Sequence, residues 1–217
     1  MPSIAIDGPS GAGKSVISDL VSDRLNMVHL DSGAMYRAVG LHMMNASVDL
    51  TLPQAIVSEL PLVRLDLVFP EGHQHVILDG ADVTDQLPGC SFAASKVGTI
   101  PQVRAFVDAI IRKIAHSQRV LVNGRDIGTT VLPDADLKIY LTADARVRAQ
   151  RRHLQLNDST QTVEQIYQDI LARDWQDTHR AISPLARAHD AVEVDSTHIT
   201  IEQVVTEIVR LARRAGI

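Results

Sequence analysis

The chain is poor in aromatic residues, has one cysteine and carries no long hydrophobic run, and each shortage removes a class of function. One Trp, three Tyr and three Phe make up 3% of 217 residues, too few for a surface that stacks successive nucleic-acid bases. Cys90 is the sole cysteine, which excludes an intramolecular disulfide and a multi-cysteine metal site and suits a reducing compartment. No apolar stretch approaches the roughly 20 residues that span a bilayer, and Met1–Asp7 runs into a strand-like segment without the regions of a signal peptide. Positive charge is also short. With a net charge of −5 the chain lacks a general field for polyanions, so an anionic ligand must be held by clustered Arg, Lys and backbone N–H groups. We therefore expect a soluble, cytoplasmic, monomeric protein without nucleic-acid or membrane partners.

What is present is ordinary globular material, 45% hydrophobic and 22% charged, enough to bury one core. Short apolar runs alternate with helical patterns, as in a parallel α/β sheet. Ser3–Asp7, Val28–Asp31, Arg119–Asn123, Leu137–Thr142 and Ala191–Asp195 read as strands. Helices are expected from Lys14 onward, over Ala34–Met44, through Val103, Phe106, Val107, Ile110 and Ile114, and over Ala143–Leu156 and Val163–Asp177. A closing helix starts at Thr200, with Gln203 completing a capping box. The middle differs: Leu62–Phe69 and His75–Leu78 flank a Pro-Glu-Gly turn, so Val48–Leu87 reads as a hairpin insertion with few helical residues. Asn157–Gln161 is polar and turn-like. The whole is most simply one doubly wound sheet.

Gly8-Pro9-Ser10-Gly11-Ala12-Gly13-Lys14-Ser15 fits G-x-x-x-x-G-K-[ST], between a strand and a helix. Glycines let successive N–H groups converge, and the helix N-terminus adds partial positive charge at the same place. Lys14 is expected at the β- and γ-phosphates of a nucleoside triphosphate and the Ser15 hydroxyl at Mg²⁺. Alone, this motif leaves GTPases, ATPases and small-molecule kinases open.

Three clusters narrow the choice. Leu30-Asp31-Ser32-Gly33-Ala34-Met35-Tyr36-Arg37 follows a strand and should reach the sheet edge where ligands bind. Ser32, Tyr36 and Arg37 can grip a phosphate there, or Asp31 or Ser32 can simply cap a helix. Asn123-Gly124-Arg125-Asp126 follows another strand. An Arg and an Asp side by side match the amino-plus-acceptor edge of cytosine or adenine and mismatch uracil, although such a pair can also merely stabilise a turn. Arg173, Asp177 and Arg180 are spaced to share one helical face, suited to a sugar hydroxyl and phosphates or to a solvated ion-pair ladder. Upstream, Arg148, Arg151 and Arg152 also share a face, the pattern of a basic lid and of a plain surface helix alike.

Together these motifs strongly resemble the bacterial cytidylate kinase family. IDGPSGAGKS, LDSGAMYRAV, AASKVGTIPQVR, GRDIGTTVLPDADLKIYLTA and RDWQDTHRAISPLARAHDA lie in order from Ile6 to Ala191. The resemblance implies a five-stranded parallel sheet, a monophosphate-binding subdomain over residues 33–100 with a β insertion at about 48–87, and a short lid at 146–163 within one kinase domain. It implies Ser32, Tyr36 and Arg37 at the acceptor nucleotide, with Arg37 near its phosphate. Ser95, Arg104, Arg125 and Asp126 would line a cytosine pocket, Arg173 and Asp177 would approach the ribose and nearby phosphate, and Arg180 the reacting phosphates. Asn123 stands where the family often has Glu or Asp, which bears on how water around Mg²⁺ would be ordered, and Val16 stands where Thr is common.

The expected reaction is in-line transfer from ATP and Mg²⁺ to CMP or dCMP without a covalent intermediate. Lys14, Arg37, Arg148, Arg152 and Arg180 would neutralise charge on the moving group. The rivals are a kinase for AMP, UMP or an alcohol, and a nucleotide switch, whose guanine-reading Asn-Lys-x-Asp motif is missing. His73 and His75 lack a third metal ligand, Cys90 reads as a passive loop residue, and Trp175 as packing for its helix.

Overall fold

The computed structural model describes residues 1–155 and 161–217. Five strands, β1 (Ser3–Asp7), β2 (Val28–Asp31), β6 (Val120–Gly124), β7 (Leu137–Thr142) and β8 (Val192–Asp195), form one sheet in the order β2-β6-β1-β7-β8. A second sheet holds β3 (Leu65–Val68), β4 (His75–Leu78) and β5 (Ala81–Asp82). This is the expected α/β fold, a parallel five-stranded sheet with a small antiparallel one. By its internal contacts the chain divides into two compact units.

The first unit comprises Pro2–Asn26 and Leu121–Ile217. β1 and β6 are buried along their whole length, with apolar centres Ile4–Ile6 and Val120–Val122 followed by Asp7 and by Asn123-Gly124. β1 runs parallel to β7 with Ile4 opposite Leu137 and Asp7 opposite Tyr140, and β7 runs parallel to β8. α1 (Lys14–Leu25) packs against α8 (Ile201–Arg214), which buries Val204, Val205, Ile208, Val209 and Ala212 at helical spacing. α6 (Ala145–Gln155) packs against α7 (Val163–His179) through Ala149, Ile166 and Ile170. α8 begins with the expected Thr200–Gln203 capping box, and Thr162–Gln165 forms a second one ahead of α7. α6 starts two residues later than expected because the Asp144 carboxylate accepts from the N–H groups of Arg146 and Val147. Of the expected turn at Asn157–Gln161 and the lid at 146–163, residues 156–160 lie outside the described residues.

The second unit, essentially Met27–Val120, holds α2 (Ser32–Asn45), α3 (Pro53–Glu59), α4 (Ser91–Val97), α5 (Pro101–Ser117) and the antiparallel sheet. β3 and β4 pair with Leu65 opposite Leu78 and Val68 opposite His75, so the expected hairpin is present. It starts later than expected, since Leu60–Leu62 is a 3-10 turn. The insertion is also more helical than expected. Pro53, its φ fixed for a first helical turn, opens α3. α4 packs closely on α2: a side chain at Gly40 would place its Cβ 2.8 Å from that of Ala93.

One further expectation gives way. Trp175 does not pack its helix: it is 65% exposed and stacks on His179 with ring centroids 4.6 Å apart. Cys90 closes a 3-10 segment, Thr84–Cys90, and is buried, with its thiol directed to the Gln86 carbonyl. His75 bonds Asp82 at 2.6 Å. Among the described residues no helix is long and apolar enough to cross a membrane.

Candidate active site

The phosphate loop joins β1 to α1, and its first residue is held by geometry. Gly8 has φ +154°, and a Cβ there would lie 2.0 Å from the Leu141 carbonyl oxygen, so no other residue fits. Gly13, at φ 87°, caps α1 in the left-handed region and brings no side-chain cap of its own. A helix start of this kind, following a glycine-rich loop, suits an anion. The buried Lys14 ammonium donates to the carbonyls of Gly8 (2.8 Å) and Pro9 (2.7 Å), folding over the loop that it is expected to serve. Ser15 is exposed on the same turn. Among the described residues no trio of His, Cys, Asp and Glu can hold a metal. Mg²⁺ commonly takes one or two protein oxygens and completes its shell with substrate phosphates and water, a demand that the exposed Ser15 hydroxyl can meet.

Ser10 is clamped from both sides. Its N–H donates to Asp174 Oδ1 (3.2 Å), and its carbonyl accepts from Arg148 (2.7 Å). Arg148 also pairs with Asp174 Oδ2 at 2.7 Å and donates to the Ala143 carbonyl at 2.9 Å. Arg148 is therefore buried against the loop, although on α6 it shares a helical face with the half-buried Arg151 and the exposed Arg152. Arg151 is spent on Ser196, while Arg152 stays exposed.

The same unit carries Arg125 and Asp126, expected at the base, and Asp177, expected at the ribose, and their pairing is crossed. Arg125 does not pair with Asp126. Its Nε donates to Asp177 Oδ2 at 2.7 Å, and Asp126 Oδ1 accepts from Arg180 at 3.1 Å. Arg180 also donates to the Ser183 carbonyl, and it lies one residue past α7 as its cap, off the helical face it was expected to share with Arg173 and Asp177. Arg173 is exposed on α7. Behind this group Asp7, at the end of β1, accepts from the N–H of Ile127 (2.8 Å) and of Gly128 (2.7 Å). Burial pushes its carboxyl up to about 6; the two amides and Lys14 oppose that rise and Asp126 adds to it.

The other unit carries Ser32, Tyr36, Arg37, Ser95 and Arg104, which were expected at the acceptor nucleotide. Asp31 caps α2 by accepting from the Gly33 N–H (2.9 Å) and pairs at 3.1 Å with Arg37, farther along the same helix. Burial would raise the Asp31 carboxyl, but Arg37, His29 and the Gly33 amide outweigh it and hold it below the ordinary carboxylate value. The Gln74 side chain, from the hairpin, accepts from the Asp31 N–H at 2.8 Å. The buried Arg104 guanidinium lies 5.4 Å over the Tyr36 ring and donates to the Gly98 carbonyl. Ser32 is buried and Ser95, on α4, half-buried.

Asp7, Gln74 and Asp174 were not singled out from sequence. Asp7 had a signal, a charged residue ending an otherwise apolar run; Asp174 sits inside a quoted motif, and Gln74 had none.

The family model described as cytidylate kinase matches residues 4–214. The chain belongs to the cytidylate kinase family. It is 43% identical over 212 residues to a protein named cytidylate kinase from Caldicellulosiruptor saccharolyticus, covering 96% of this chain and 94% of the relative. To the protein of that name from Rhodococcus jostii it is 42% identical over 207 residues, covering 93% and 90%. Among solved structures, a gluconokinase from Sinorhizobium meliloti superposes with a TM-score of 0.51 at 14% identity, covering 98% of this chain and 92% of that one. At that identity the likeness concerns the fold alone. Within the cytidylate kinase family the phosphate loop is intact here, and Asn123 is buried at the strand end before Gly124-Arg125-Asp126.

Proposed function

We propose that the protein transfers the γ-phosphoryl group of ATP, with Mg²⁺, to CMP and dCMP. The observation that carries the reading is the crossed set in one unit, Arg125 with Asp177 and Asp126 with Arg180, each side chain about one-fifth exposed or less. Such half-shielded pairs keep guanidinium and carboxylate groups oriented, and a nucleotide exchanges into them. Asp126 accepts from a base amino group, and Arg125 donates to the neighbouring acceptor, which suits cytosine and leaves uracil mismatched. Adenine shares that edge; family membership decides for cytosine. Asp177 and Arg173 take the ribose and its phosphate.

In this reading the unit around α2 is the monophosphate-binding part, residues 33–100 with the β insertion at about 48–87, and Ser32, Tyr36, Arg37, Ser95 and Arg104 serve the acceptor. The segment 146–163 acts as the lid, with Arg152 as its charge donor. Arg148, committed to Ser10 and Asp174, acts through the loop.

The acceptor phosphate needs no general base, because its second pKa of about 6 leaves it largely dianionic at neutral pH. The protein's task is to align two anions and spread charge among Lys14, Arg37, Arg152 and Arg180. Lys14 exchanges the Gly8 and Pro9 carbonyls for phosphate oxygens. Ser15 would hold Mg²⁺, which neutralises charge on the phosphates when bound. A coupled ADP-release assay with CMP, dCMP, UMP and AMP tests the reading. Turnover is expected with CMP and dCMP; purified protein that converts neither in the presence of ATP and Mg²⁺ overturns it.

A further inference from the structure

Asp7 belongs to no part of the proposed chemistry, yet it is only 4% exposed and both its oxygens are engaged. Its acceptor bonds go to Ile127 and Gly128, the two residues that follow Arg125-Asp126, and Ile127 lies 120 positions along the chain. Those residues open a single wide π-helical turn, Ile127–Val131, in which the Asp126 carbonyl accepts from Thr130 and Val131. Asp7 thus holds the start of the turn whose cap is Asp126. On its other side, the Asp7 backbone leads directly into Gly8, itself fixed against Leu141. One residue joins the phosphate loop through its main chain and the base-reading turn through its side chain.

We propose that Asp7 is a positioning residue that sets the base selectivity of the enzyme by fixing the turn that carries Arg125 and Asp126. This rests on the function proposed above and adds a residue to it. A carboxylate aimed at a base amino group discriminates only while its position is held within a few tenths of an ångström, and the two amide bonds supply that restraint. The charged groups facing Asp7 are Lys14, which favours its ionised form, and Asp126, which opposes it, with the Tyr140 phenol opposite on β7.

Asp7→Asn tests the proposal. The amide oxygen can keep one of the two bonds, but the NH₂ group faces the other N–H donor to donor. KM for CMP is expected to rise roughly tenfold, and the CMP-to-UMP ratio of kcat/KM to fall by about as much, while KM for ATP stays within about twofold. A parallel rise in both KM values, or an unchanged base ratio, overturns the proposal. Gly128→Ala keeps it testable should Asp7→Asn fail to fold. Its Cβ would sit 3.4 Å from Asp7 Oδ2 and 3.1 Å from Lys138 Cδ, pressing on the same bond from the turn side. The same pattern is expected, with KM for CMP raised and KM for ATP spared, and a soluble Gly128→Ala enzyme with wild-type base selectivity overturns the proposal. Wild-type protein inert toward CMP would remove the proposed function and this inference together; wild-type turnover with variants of unchanged selectivity removes this inference alone.

Discussion

Arg180 donates to Asp126 at 3.1 Å, with Asp126 almost wholly buried and Arg180 only 15% exposed. A residue expected at the reacting phosphates thus rests on one expected at the base. Loss of the carboxylate acts on both substrates' partners at once, through selectivity and through rate.

Asp126→Asn is expected to lower the CMP-to-UMP ratio of kcat/KM by roughly 10²-fold, because the amide can offer a donor to the uracil carbonyl that the carboxylate rejects. Arg180, its charge no longer balanced, should also be less well placed, lowering kcat on CMP itself. Parallel kcat/KM measurements on the two nucleotides check this, and an unaltered ratio would take Asp126 out of base recognition.

Asp174 should report on the donor side. It holds the Ser10 N–H and pairs with Arg148, whose side chain is 6% exposed. Asp174→Ala leaves a buried guanidinium without its counter-charge, so a loss of about 3 kcal/mol of stability is expected, with KM for ATP rising more than KM for CMP. Asp174→Asn, which retains an acceptor for Ser10, should be milder on both counts. Urea unfolding and a two-substrate KM series separate the effects. Equal changes in the two KM values would mean that the clamp does not shape the phosphate loop.

The phosphate loop, all five strands of the main sheet to within a residue at either end and the Thr200 cap were legible because their signals are local: glycines at fixed spacing, apolar runs, a Thr three residues before a Gln. The charged clusters were legible as clusters but not as pairs. Side-by-side residues such as Arg125 and Asp126 point apart and find partners on a helix end far along the chain, and no periodicity encodes that. α3 and α4 have seven residues each, too few to show a helical repeat. Trp175 misled for a related reason. Its spacing is helical, but the face it occupies is solvent, and hydrophobicity alone does not say which face a helix buries.

The buried carboxyl of Asp7 links function to stability with a definite sign. Its pKa rises from 3.8 to about 6 on folding, so between those values the folded protein holds a proton that the unfolded chain has released. The stabilisation from this group is present in full below about pH 4 and is lost as pH rises through about 6. At neutral pH, keeping the buried carboxyl ionised costs about 3 kcal/mol, since each tenfold weakening of its acidity on folding is worth about 1.4 kcal/mol. Asp7→Asn carries no such charge. Its stability relative to wild type should therefore improve by about that amount between pH 4 and pH 7, even as its selectivity for cytosine falls. Urea unfolding of both proteins across that range measures the difference. A gap that stays constant with pH would mean that Asp7 titrates in the folded protein as it does in the unfolded chain.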